Sequence, residues 1–89
     1  MDLEKRFMES ASIIKNRDTD ISNDDLLHLY GLYKQGTIGN CDLGNQPWTM
    51  FKEERARWNA WYKNYNMIKS DAMQKYIDKV NELMNQNDT

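Results

Sequence analysis

The last third of the chain constrains the fold most. Ala72, Met73, Tyr76, Ile77, Val80, Leu83 and Met84 recur at three- and four-residue steps, with polar residues between them. That spacing places them along one side of a helix, as a core-facing stripe. The stretch NQNDT that follows has nothing apolar to bury, and residues 87–89 are expected to be a disordered tail behind a single domain over 1–86.

Three more helical patterns precede it. Leu3, Phe7, Ala11 and Ile14 form an amphipathic first helix that should fade over Asn16 to Asp20. Ser22 is placed to cap a second, with Asp24 and Asp25 at the positive end of its dipole. This helix carries Leu26, Leu27, Leu29, Tyr30, Leu32 and Tyr33, and Gly36 and Gly39 should fray and stop it. The stretch GNCDLGNQP is the longest loop, with Pro47 at or just before the third helix. Trp58 and Trp61 in that helix are three residues apart and are expected to share a buried face. No run alternates β-branched with polar residues, so the expectation is all-α, with four helices.

The bulk properties narrow the function. The chain has 89 residues, one domain's worth, and a net charge of −2. A nucleic-acid binder normally shows a basic excess or stripe, and the overall balance shows none. The single cysteine, Cys41, excludes an intramolecular disulfide and favours a reducing compartment. The N-terminus has no signal-like apolar run, and no stretch approaches the roughly 18 apolar residues of a membrane span. These features point to a soluble cytoplasmic protein without stable membrane insertion.

Catalysis has little to stand on. His28 lies inside the second helix with no metal pattern or placed nucleophile, and Cys41 lacks a CxxC partner. Adjacent acids such as Glu53 and Glu54 point about 100° apart on a helix, which suits helix N-termini better than acid–base work. No enzyme activity, metal or cofactor is expected. Binding has more support. Tyr30, Tyr33 and Lys34 stand at i, i+3 and i+4, where two rings and an ammonium can hold a flat, anionic heterocycle. The same spacing also suits core-edge tyrosines beside a snorkelling lysine. Arg55 and Arg57 beside Trp58 form a second basic–aromatic cluster, again open to the reading of a solvated face.

Three motifs occur together in one order. "YGLYKQGTIGN" resembles the acyl-CoA-binding protein family pattern Y-x-x-Y-K-Q-A/S-T-V/I-G. "RARWNAW" is similar to its K-A-K-W-x-A-W, and "DAMQKYIDKVNEL" to D-A-M-x-x-Y-I-x-K-V-x-E-L. The resemblance spans essentially the whole chain, with one extra residue in the loop before Pro47. It implies an up-down-down-up four-helix bundle, a monomer that binds medium- to long-chain fatty acyl-CoA and carries it within the cell. It further implies that Tyr30, Tyr33 and Lys34 face the adenine and phosphorylated ribose, with Gly31 and Leu32 lining the site between them. Lys15, Arg57 and Tyr76 match ligand-contacting positions on the other helices. Ile14 and Leu27 are where the acyl chain is expected.

Several residues depart from that pattern. Arg57 replaces a lysine, turning a point charge into a fork. Arg17 stands where the family has a leucine, and Ile21 replaces a proline. Ile68 falls on a serine cap position, so Asn66 is expected to cap the last helix. The family's phenylalanine aligns with Phe51 or Lys52, depending on a gap. The alternative function is a helical protein–protein interaction module whose basic residues are incidental.

Overall fold

A computed structural model describes residues 2–17, 20–45 and 51–87. Four α-helices account for most of them: α1 (Asp2–Arg17), α2 (Asn23–Thr37), α3 (Lys52–Tyr62) and α4 (Lys69–Asn87). A short 3₁₀ turn, Leu43–Asn45, follows α2, and no strand occurs among the described residues. The all-α bundle expected from the periodicity is the architecture found.

The core follows the stripes. Ala72, Tyr76, Ile77, Val80 and Leu83 of α4 are buried against Phe7 and Ile14 of α1 and Leu29 and Leu32 of α2. Each of the Phe, Leu, Ile and Val side chains contributes roughly 1.5–3 kcal/mol when fully buried. α4 packs on both α1 and α2, whereas α3 packs chiefly on α2 and has no buried residue of its own. An ion pair at 3.1 Å between Lys79 Nζ and Asp25 Oδ1 also joins α4 to α2. The hydrogen bond from Lys79 holds the Asp25 carboxyl below its ordinary range.

Ser22 caps α2 as expected, its Oγ accepting from the Asp25 N–H at 3.2 Å. Gly36 does not fray the helix. It lies buried inside α2, where an added Cβ would sit 3.2 Å from Met73 Cγ and 3.4 Å from Phe7 Cζ. The glycine makes room for α1 and α4 rather than ending the helix. The stop comes at Gly39, whose φ of +97° suits glycine and whose N–H returns to the Gln35 and Lys34 carbonyls at 3.1 and 3.3 Å.

The start of α4 also differs from expectation. Asn66 does not cap it, because Asn66 sits at φ +72° in the preceding turn and bonds to Asn40 instead. The helix begins at Lys69, and Ile68 supplies the carbonyl that accepts from the Ala72 N–H. An isoleucine at this N-cap offers no side-chain acceptor. Ile68 is 62% exposed, so replacing it forfeits little burial. Ile68→Ser is therefore expected to stabilise the protein by about 1 kcal/mol. In a domain of this size that raises the melting temperature by about 4–8 °C. A lower melting point would mean that Ile68 packs more tightly than its exposure implies.

At the C-terminus α4 continues through Asn87, past the last apolar position, where the sequence predicts the start of a disordered tail. Pro47 and residues 88–89 lie outside the described residues.

Candidate functional site

The site begins with a missing side chain. Gly31, midway along α2, faces the α3 backbone, and a Cβ there would overlap the Ala60 carbonyl oxygen. Glycine thus lets the two helices approach closely.

That approach brings Trp61 of α3 to the end of α2. The Lys34 ammonium lies 5.2 Å from the Trp61 ring centroid and 5.9 Å from that of Tyr30. Trp61 is fixed in place by its Nε1–H, which donates to the Gly39 carbonyl at 2.8 Å. A polar clasp holds the same corner. Buried Gln35 donates through Nε2 to Asn40 Oδ1 at 2.9 Å and to the Met67 carbonyl at 2.8 Å, and Asn40 Oδ1 also accepts the Asn66 N–H at 2.7 Å. Lys34 has no described carboxylate within ion-pair distance. A cation held between rings but left without a counter-charge suits an anionic group from a ligand.

Tyr33 takes a different direction from Tyr30 and Lys34. Its ring stacks on Phe7 at 5.4 Å, and Tyr76 meets Phe7 edge-on at 5.1 Å. Tyr33 and Tyr76 lie 6.1 Å apart. The three residues of the α2 motif therefore divide between two clusters, one on the α3 side and one on the α1–α4 side. Tyr76 is buried, which together with Tyr33 pushes its phenol up to about 12. It stays protonated at neutral pH and can act there only as a neutral hydroxyl.

The remaining candidates spread over the bundle. Arg57 is exposed one turn before Trp61 on α3, and Lys15 is exposed in the last turn of α1. Neither pairs with a described carboxylate. Leu32 and Ile14 are core residues. Leu27 is half-buried and lines a groove of about 530 Å³ between α2 and α3, with Asp24, His28, Ala60, Lys63 and Asn64. Its volume falls in the range of small-molecule sites, about 300–1,000 Å³. Ile14 and Leu27 thus belong to different parts of the molecule.

Two contributors were not singled out from the sequence. Phe7 was visible as a core position, but only the structure shows it joining Tyr33 to Tyr76. Trp61 was assigned with Trp58 to one buried face, and the structure corrects this. Both are half-buried: Trp61 turns toward Lys34, while Trp58 stacks on Tyr62 at 5.3 Å. Among the described elements α3 packs mainly on α2, which leaves both indoles half-buried.

Elsewhere the chemistry is sparse. No group of three or more His, Cys, Asp or Glu side chains that could hold a metal occurs among the described residues. Burial pushes the Cys41 thiol up, which disfavours the reactive thiolate. No described helix is long and apolar enough to cross a membrane.

Comparison with known proteins gives one consistent result. The sequence model of the family described as "Acyl CoA binding protein" matches residues 4–80. The chain is 45% identical over 71 residues to an acyl-CoA-binding protein of Dictyostelium discoideum, covering 80% of this chain and 83% of the relative. It is 37% identical over 84 residues to an acyl-CoA-binding protein homolog of Manduca sexta, covering 94% and 93%. The crystal structure of Oryza sativa Acyl-CoA-Binding Protein 2 superposes with a TM-score of 0.89 at 37% identity, over 97% of this chain and 94% of that one.

Proposed function

The chain belongs to the acyl-CoA-binding protein family, and on that premise we propose that it binds medium- to long-chain fatty acyl-CoA esters and carries them within the cell as a monomer. No bond is made or broken in this reading, and no cofactor takes part. The observation that carries it is the Lys34 ammonium set over the Tyr30 and Trp61 rings without a described counter-ion. Leu27, Tyr30 and Lys34 follow one another along a single face of α2, at i, i+3 and i+7. One end of that face offers rings and a cation to the nucleotide, and the other leads into the groove over Leu27 and Ala60.

Each residue then has a role. Tyr30 and Trp61 supply flat surfaces for the adenine. Lys34 and Arg57 neutralise phosphate, Arg57 with two donors. Lys15 adds a third cation, and Tyr76 a hydroxyl at the wall formed with Tyr33. Gly31 and Leu32 act from behind, by seating α3 and filling the core. The acyl tail is assigned to the groove at Leu27 rather than to the buried position of Ile14.

Calorimetry over a series of acyl-CoA chain lengths tests the assignment, with free CoA and free fatty acid as controls. Each methylene that leaves water contributes about 0.8 kcal/mol, or roughly fourfold in affinity, until the groove is full. Free CoA binding as tightly as palmitoyl-CoA would remove the tail groove. A partner-helix module predicts little binding of any of these ligands.

A further inference from the structure

The side of α3 turned away from α2 carries a ladder of rings. Trp58 stacks on Tyr62 at 5.3 Å with the planes 15° apart, and Tyr62 meets Tyr65 at 5.9 Å. Tyr62 is 47% exposed and Tyr65 38%. Arg55, Trp58, Tyr62 and Tyr65 follow at steps of three and four, so they share one side of the helix and its exit turn. Phe51, at the N-cap four residues before Arg55, is 76% exposed. Ala60, the residue nearest Gly31, points elsewhere, and the ladder contributes nothing to the buried core. The ligand face at Trp61 leaves it unused.

Charge distinguishes this side further. Leaving out Arg57, which is assigned to the ester, residues 51–66 carry three basic and two acidic side chains, in a chain that is net −2 overall. Lys52 and Arg55 on the ladder side are exposed and pair with no described carboxylate, and the same holds for Lys63, which also borders the α2–α3 groove. Glu54 borders the opposite edge of the ladder. The molecule thus keeps a small positive excess where it exposes aromatic rings, against its overall balance.

We infer that this outer face of α3 docks the protein on an anionic lipid surface. Trp and Tyr combine an apolar body with a polar tip, which suits the boundary between headgroups and acyl chains. Flanking cations add attraction to anionic lipids, worth about fivefold in binding per charge near the surface. A second copy of the chain fits less well. A two-fold pairing through this face would set Arg55 and its neighbouring cations against their own copies. The inference goes beyond cargo binding and does not depend on it, since the ladder lies outside the residues assigned to the ester. It describes contact at the headgroup level, not insertion across the bilayer.

The test is flotation of the ligand-free protein with vesicles of mixed phosphatidylcholine and phosphatidylserine, and with pure phosphatidylcholine. Binding is expected to the mixed vesicles, weakening with added salt and far weaker to the neutral ones. Tyr62→Ala/Tyr65→Ala should lower the partition coefficient about tenfold. Arg55→Glu, a surface change that leaves the rings intact, should lower it about fivefold or more. Palmitoyl-CoA affinity, measured in parallel without vesicles, should hold in both variants, which separates this idea from the carrier reading. Arg55→Glu floating like the wild type would overturn the proposal, even if the double variant failed to fold. So would sedimentation showing a dimer that the ring substitutions dissociate, because the face would then serve a protein.

Discussion

Lys34→Ala is expected to cut palmitoyl-CoA affinity by about 10- to 100-fold while leaving the melting temperature nearly unchanged. The ammonium sits over two rings without a described acidic partner, so its removal orphans no carboxylate of the fold. What it costs is a hydrogen bond to a charged group, worth about 1.5–3 kcal/mol. Arg57→Ala should cost a similar amount, because Arg57 is exposed on α3 and is proposed to meet the ligand from there rather than from α2. The double variant is expected to lose about a thousandfold if the two cations act on separate phosphate oxygens, and less if they share one. Arg57→Lys should fall between, retaining charge but losing the two-donor fork. Calorimetry on folded variants decides the matter. Unchanged affinity in the double variant would leave the ring-and-cation corner without a ligand role.

Gly31→Ala should act on both folding and binding. In an ordinary helix interior this change gains about 1 kcal/mol, since alanine is the better helix former. Here the new methyl meets the Ala60 carbonyl oxygen, which is backbone and cannot swing aside as a flexible side chain could. Overpacking of this kind costs about 1–3 kcal/mol, so the clash outweighs the propensity gain. The expected result is a melting temperature lower by several degrees. Acyl-CoA affinity should fall as well, because displacing α3 moves Trp61 off Lys34 and opens the groove over Leu27. A variant more stable than wild type, with full affinity, would show that α3 is not seated on Gly31.

The parts of the molecule that obey a period were legible from the sequence. The α4 stripe, the Ser22 cap and the Gly39 exit follow from spacing and local backbone chemistry, which do not depend on neighbours. The errors arose where a neighbour decided the outcome. Gly36 reads locally as a helix breaker, yet it is held inside α2 because Phe7 and Met73 arrive from two other helices. Trp58 and Trp61 read as a buried pair, yet both stay half-buried, one turned to Lys34 and the other stacked on Tyr62. Asn66 reads as a cap, but its bonds to Asn40 belong to a clasp between segments 26 residues apart. Tyr30, Lys34 and Arg57 are proposed as site residues on motif likeness rather than on periodicity. Spacing alone could not reveal that Tyr33 parts from them to join Phe7.

The absence of any buried residue in α3 has a consequence for how such a protein can change over generations. The hydrophobic core depends on α1, α2 and α4, so most substitutions on α3 register in affinity rather than in foldability. Cargo preference and surface attachment are therefore open to drift and selection at little risk to the scaffold. Arg57 and Tyr62 lie on that helix, and Tyr65 in the turn that leaves it, where such changes are tolerated.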